Sequence, residues 1–212
     1  MMEAIYYTLV TAVVATFVST IVGTITAIGL SKSRRIVREV VQQINDLPIM
    51  NPEIVTAVGL MLFYVSLHME KGFLTMLLAH IAFCTPYVIL SVMPKLRGLD
   101  PNLAEAAMDL GARPTQAMWK VIVPQIMPGV VSGALIAFTM SFDDFIISYF
   151  VTGNGVKNIS TLVWTMSKRI NPSINSLSTL IVIMITITLL IVNIVPLVRE
   201  KAARNNKPIS YK

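Results

Sequence analysis

The stretch DPNLAEAAMDLGARPTQAMWKVIVP, residues 100–124, is a compact segment rich in charged side chains. The chain around it has 212 residues, of which 55% are hydrophobic and 13% are charged. Ordinary soluble domains have about 25% charged residues. The mean hydropathy of +0.72 agrees with this contrast. The stretch is therefore a polar insertion in a chain that has the composition of a membrane protein.

The insertion has the start and stop signals of two short helices. Asp100 is a good cap for a helix that begins with Pro101 at its first position. Gly111 can adopt the left-handed conformation that ends such a helix. A second short helix is predicted from near Pro114 to just before Pro124, because proline interrupts regular helix. The two helices would form a compact element that could fit into a groove on another protein.

Outward from this insertion, long uncharged runs predict membrane-spanning helices, since about 20 apolar residues cross the hydrocarbon core. The runs are residues 4–30, 54–69, 72–94, 121–142 and 170–198. Prolines 48 and 52 are predicted to break regular helix before the second run. The fold class is thus an all-α integral membrane bundle of about five spans. Residues 4–198 form the transmembrane domain, with a cytoplasmic loop at about 94–128, and residues 199–212 form a basic tail.

Positive charge predicts the orientation of the spans, because loops rich in lysine and arginine stay in the cytoplasm. Most of the 17 lysine and arginine residues fall in the first loop, the third loop and the tail. The N-terminus is therefore predicted outside and the C-terminus inside. The net charge of +6 reflects this topology. Since no basic cluster is interleaved with aromatic residues, no nucleic-acid partner is expected.

The first span has small residues at every fourth position, which lie on one face of a helix. They are Thr11, Ala15, Ser19, Gly23 and Ala27. Small residues let helix backbones approach closely in membranes. This face is predicted to pack against other helices rather than lipid.

The insertion resembles the EAA loop of the type I transmembrane subunits of binding-protein-dependent ABC importers. The family pattern is EAA-x3-G-x9-I-x-L-P, and the chain matches its spacing with valine at both aliphatic positions, 121 and 123. In this family the loop is the coupling helix that docks on an ATPase subunit. The resemblance assigns that contact to the following residues: Glu105, Ala106, Ala107, Gly111 and Pro124.

A narrower resemblance connects residues 80–112 and 134–153 with the permease subunits of spermidine/putrescine importers. It implies a bacterial inner-membrane permease that works with two ABC ATPase subunits, a second permease subunit and an extracytoplasmic solute-binding protein. The substrate would be a small cation, a polyamine such as spermidine or putrescine, moved by alternating access. Members of the family generally have a further helix before the first span found here. Because the chain lacks the phosphate-binding motif G-x-x-x-x-G-K-[ST], ATP and magnesium are expected on the partner ATPases and the chain itself is predicted not to be an enzyme.

Two carboxylates lie inside the predicted fourth span, residues 129–151. Asp143 and Asp144 would be roughly 6 Å beyond its midpoint, toward the outside. A carboxylate at such a depth costs about 2.5–3.5 kcal/mol on insertion scales, so it needs compensation. The two side chains point about 100° apart. One can therefore face a translocation path while the other bonds to a neighbouring helix or to an opened backbone turn.

This region predicts a site for a cationic substrate. Three aromatic residues beside the carboxylates, Phe142, Phe145 and Tyr149, could add cation–π contacts. The alternative is an interhelical hydrogen-bond network or a gate that does not touch the substrate. His68 and His80 lack other ligands at metal-binding spacing, so packed or interfacial histidines and no metal site are predicted.

Alternatives to a polyamine importer also follow from the sequence. An importer of iron or another solute would share the EAA pattern, which indicates how energy arrives and not what is carried. An ATPase-independent cation channel or carrier would use Asp143 or Asp144 as its ion site. An assembly factor without transport activity is a third possibility.

Overall fold

The computed structural model describes residues 2–153 and 156–167, and beyond them only the single positions 179 and 183. Within these residues the fold is entirely helical, as predicted. The predicted fifth span, 170–198, and the basic tail, 199–212, lie outside the described residues apart from those two positions.

Nine α-helices and one π-helical turn make up the described chain. In chain order they are α1 (Met2–Lys32), α2 (Arg35–Met50), α3 (Glu53–Ser66), α4 (Phe73–Arg97), α5 (Leu103–Asp109), α6 (Pro114–Ala117), the π turn (Met118–Ile122), α7 (Val123–Asp143), α8 (Ile146–Val151) and α9 (Ile159–Ser167).

Three of these helical segments are long and apolar enough to cross a membrane: α1, α4 and the continuous segment Pro114–Asp143. They correspond to the first, third and fourth predicted spans. The second predicted span contains only the 14-residue helix α3. It passes the same test only together with α2, to which it is bent by 107°. The described residues thus contain three or four candidate spans.

The core is formed where α1, α4 and α7 pack against one another. The predicted small face of α1 is buried in this core, so that prediction is confirmed. Val88 of α4 lies at the crossing point. A Cβ atom built on Gly23 of α1 would come within 2.8 Å of the Val88 side chain, and one built on Gly133 of α7 would come within 3.2 Å of its Cα atom. Glycine is therefore what lets these three helices meet.

We expect Gly23→Ala to destabilise the protein. The added methyl would overlap a branched side chain on a rigid helix, and overpacking of this kind typically costs about 1–3 kcal/mol. Thermal unfolding of the purified protein in detergent should show a lower midpoint. Gly29→Ala on the same helix is the matched control, because a Cβ atom there meets nothing within 4 Å. Equal midpoints for the two variants would contradict the proposed packing role.

Helix α2 corrects the predicted first loop. Its apolar residues recur at helical spacing on an exposed face, and it contains Pro48, which was wrongly predicted to break the helix. Pro48 lies within α2, two residues before its end, whereas Pro52 does separate α2 from α3. Polar contacts attach α2 to α4: Arg97 Nη2 donates to Gln42 Oε1 at 2.8 Å, and Asn45 Nδ2 donates to the Pro86 carbonyl at 3.4 Å.

The insertion differs from its prediction at both helices. Helix α5 begins at Leu103, later than predicted. The Asp100 carboxylate accepts the Asn102 amide, as a cap would, but residues 101 and 102 form a turn that precedes the helix. Gly111 has a φ of +89°, which confirms the left-handed position after α5. The second helix does not stop before Pro124. It continues through the π turn into α7, whose first turn accommodates the proline because that position needs no amide hydrogen.

The loops rich in cations share one end of the described bundle. Lys32 and Arg38 of the first loop line a cavity together with Arg97, at the end of α4. Lys71 precedes the opposite end of α4 and lies beside Gly153. This grouping agrees with the charge pattern, and the assignment of the cation-rich end to the cytoplasm stays a prediction.

Candidate functional site

The predicted fourth span is interrupted in the middle of its carboxylate pair. Helix α7 ends at Asp143 and α8 begins at Ile146. Between them Asp144 has an extended backbone, with φ −62° and ψ 128°. The expectation of one continuous helix over residues 129–151 is therefore wrong at this point. Broken helices within membranes expose backbone groups that need polar partners.

The Asp144 side chain supplies those partners. Its Oδ1 accepts the amide of Ile147 at 3.1 Å, and its Oδ2 accepts the amide of Ser148 at 2.8 Å. The Ser148 hydroxyl also donates to Oδ2, at 2.7 Å. Asp144 thus caps the free amides at the start of α8. With 4% of its surface exposed, it is buried at the break rather than open to a substrate.

His80 of α4 completes the surroundings of this carboxylate. Its Nε2 lies 3.3 Å from Asp144 Oδ2 and 3.0 Å from Ser148 Oγ, and its Nδ1 lies 2.7 Å from Ser141 Oγ. The imidazole is 2% exposed. The prediction of a packed histidine is confirmed, and the ring joins α4 to both halves of the broken span.

The directions of the hydrogen bonds at Ser148 determine which nitrogen of the His80 ring carries a proton. The single hydrogen of the Ser148 hydroxyl is donated to Asp144, and the same oxygen accepts Asn158 Nδ2 at 2.8 Å. Ser148 Oγ therefore has no hydrogen left for His80, so His80 Nε2 must be the donor in their contact. This N–H lies between the serine oxygen and the carboxylate and helps to stabilise the negative charge.

Asn158 connects the break to the segment before α9. Its Nδ2 also donates to the backbone carbonyl of Asp144, at 3.2 Å. The next residue, Ile159, donates its amide to Thr8 Oγ1 of α1 at 2.9 Å. The start of α9 is thereby attached to the helix break and to α1.

Asp143 has a different environment from its neighbour. It is exposed and makes no hydrogen bond or ion pair with any described residue. Glu53, half-buried in the first turn of α3, lies close enough to interact electrostatically with both Asp143 and Asp144. Sequence reasoning missed Glu53, although a carboxylate directly after Pro52 in an apolar region was a usable signal. Glu53 is therefore within electrostatic range of two carboxylates and of His80 near the break.

The predicted aromatic residues are only partly brought together. Phe145 and Tyr149 lie with their ring centroids 5.5 Å apart, while Phe142 stacks on Phe138 at 5.8 Å. Phe142 and Tyr149 are exposed. In the parts of the chain that are described, no three His, Cys, Asp or Glu side chains are arranged so that they could hold a metal ion.

The residues assigned to ATPase coupling lie at the cation-rich end. None of the seven residues of α5 is buried, and Glu105, Ala106 and Gly111 are exposed. Leu110, directly after α5, is 91% exposed. Pro124 is exposed as well, but it belongs to α7 and not to the short helix.

These features define a helical integral membrane component with a broken span and an exposed two-helix insertion at one end. The sequence model of one family, described as binding-protein-dependent transport system inner membrane component, matches residues 19–198. The chain belongs to this family. It is therefore an inner-membrane permease component of an ABC importer.

Individual relatives agree with this assignment. The chain is 35% identical to the spermidine/putrescine transport system permease protein PotC of Haemophilus influenzae, over 95% of this chain and 77% of that protein. It is 38% identical to the putrescine transport system permease protein PotI of Escherichia coli K12, over 85% of this chain and 67% of that protein. The identity to PotC of the same strain is 33%, over 87% and 70% of the two chains.

Proposed function

We propose that this permease component translocates polyamines, with Asp143 and Glu53 as the carboxylates that meet the substrate. The observation that carries the proposal is the exposed Asp143, which has no hydrogen bond or ion pair with a described residue. It lies at the break of a membrane span, within electrostatic range of Glu53. Uncompensated carboxylates at such a depth are unfavourable unless a cation neutralises them. The names of the relatives, which refer to spermidine and putrescine transport, indicate that this cation is a polyamine.

The two adjacent aspartates have separate roles in this proposal. All four donors around Asp144 come from the protein, so its carboxylate is already satisfied without a substrate. Asp144 is therefore a positioning residue that holds the break open. Asp143 is free to pair with an ammonium group, and the exposed ring of Tyr149 can add a cation–π contact. A polyamine has at least two ammonium groups, which suits two carboxylates on different helices.

Energy for transport would come from two separate ATPase subunits, which bind ATP and magnesium. The exposed α5 and Gly111, at the cation-rich end, are the proposed contact. A second permease subunit would complete the path, and an extracytoplasmic binding protein would deliver the substrate. Family membership favours this arrangement over an ATPase-independent channel or carrier and over an assembly factor. An importer of iron or another solute stays the alternative.

Uptake by the complete importer reconstituted in vesicles tests the substrate site. We expect Asp143→Asn and Glu53→Gln each to reduce putrescine and spermidine uptake by about tenfold, which corresponds to about 1.4 kcal/mol for one lost charge contact. Assembly of the complex should be unchanged, because Asp143 makes no internal bond in the described chain. Glu39→Gln is the matched control, since Glu39 pairs only with the exposed Arg35. Unchanged uptake in both site variants would refute the substrate role.

A further inference from the structure

The cavity lined by Lys32, Arg38 and Arg97 lies at the cation-rich end of the bundle, between α1, α2, α4 and α5. Its volume is about 410 Å³, and its wall has an apolar part and a charged part. Ile28 and Met93 belong to the apolar part. Lys32, Arg38 and Arg97 supply positive charge, opposed by the single carboxylate of Asp100.

The positive charges of this cavity are not neutralised by the described residues. Among the described residues, no carboxylate lies within ion-pair distance of Lys32 or Arg38. Arg97 donates to the neutral amide oxygen of Gln42, and Asp100 accepts the backbone amide of Asn102. The cavity therefore has an excess of two positive charges and a fixed electrostatic preference for an anion.

We propose that this cavity binds the phosphate-bearing headgroup of an anionic phospholipid. Basic cavities between membrane helices are suited to such headgroups, and guanidinium groups match the geometry of phosphate oxygens. A lipid also uses the apolar wall, because its glycerol and first methylene groups can contact Ile28 and Met93. A free phosphate would leave that wall in water.

The location gives the ligand a connection to the coupling segment. Ala104 of α5 lines the same cavity as Lys32 at the end of α1 and Arg97 at the end of α4. A bound headgroup would thus bridge α5 to two membrane-spanning helices. The cavity is separate from the proposed substrate site, since none of the residues at the helix break lines it.

The test counts lipids retained by the complete importer. The complex is reconstituted in nanodiscs of phosphatidylcholine with graded phosphatidylglycerol, and native mass spectrometry measures the bound phosphatidylglycerol. We expect Lys32→Gln with Arg38→Gln to reduce retention by about tenfold or more. The control is Arg34→Gln with Arg35→Gln, which removes the same charge from two exposed residues at the start of α2 that do not line the cavity.

Each possible result decides the proposal. Loss of lipid only in the cavity variant supports it, and if that double variant does not assemble, Lys32→Gln and Arg38→Gln alone give the same comparison. Equal retention in the wild type and the cavity variant overturns it. Equal loss in both double variants also overturns it, because it indicates general surface attraction. Displacement of the lipid by millimolar inorganic phosphate would reassign the cavity to a soluble anion and overturn the lipid assignment.

Discussion

Glu105→Arg should separate this permease from its ATPase. Glu105 is exposed on α5, between small residues and the exposed Leu110, so the variant changes a docking surface without removing an internal contact. Reversing a charge at an interface typically costs about 2–5 kcal/mol when the partner charge is left unpaired. We expect the ATPase recovered with the tagged permease to fall by at least about tenfold. ATP-driven uptake should fall with it.

The control for this prediction is the same charge reversal at the opposite end of the molecule. Glu70 is exposed in the connection between α3 and α4, so Glu70→Arg should leave ATPase recovery unchanged. If Glu105→Arg kept the ATPase bound and active, the assignment of α5 as the coupling helix would be wrong. Uptake that persisted without bound ATPase would instead favour a channel or carrier.

Asp144→Asn should be the most destabilising single change at the helix break. An amide cannot accept from every donor around the carboxylate, since its NH₂ group would face the donors now directed at Oδ2, among them the Ser148 amide and hydroxyl. Each buried polar group left without a partner costs about 1–3 kcal/mol. We expect the midpoint of thermal unfolding in detergent to fall by about 5–15 °C.

The adjacent residue offers an isosteric control. Asp143→Asn makes the same chemical change in an exposed side chain that has no internal hydrogen bond among the described residues. It should leave the unfolding midpoint unchanged while it lowers uptake. Equal destabilisation by the two variants would show that Asp144 is not the structural member of the pair. An unchanged midpoint in Asp144→Asn would contradict the network described here.

The spans with strong local signals could be predicted from the sequence. Helices α1 and α4 follow from long apolar runs, and the buried face of α1 follows from small residues at every fourth position. Both signals lie within one helix and need no knowledge of its neighbours. Helix α2 was missed because Pro48 and the polar residues suggested a loop, while its helical spacing was the weaker signal. The continuation through Pro124 was missed because the π turn absorbs the irregularity.

The site, like the fold, could be predicted from the sequence only in part. The pattern of carboxylates and aromatic residues identified the region and the two possible roles for an aspartate. It could not assign those roles, because the amides of Ile147 and Ser148 are free to bond Asp144 only where the helix breaks, and the other partners come from distant parts of the chain. His80 precedes Ser148 by 68 residues, and Asn158 follows Asp144 by 14. Glu53 joins the cluster only because α3 packs against α8.

The sequence by itself determined the membrane class, the family pattern at Glu105 to Pro124 and the packing face of the first span. Hydrophobicity, residue size and spacing act locally, so they can be read along a single helix. Only the tertiary structure decided that the fourth span breaks at Asp144, and that one aspartate is satisfied internally while its neighbour is left open. A buried charge is stabilised by whichever donors the fold leaves free for it, and here those donors are the first turn of α8 and His80 of α4.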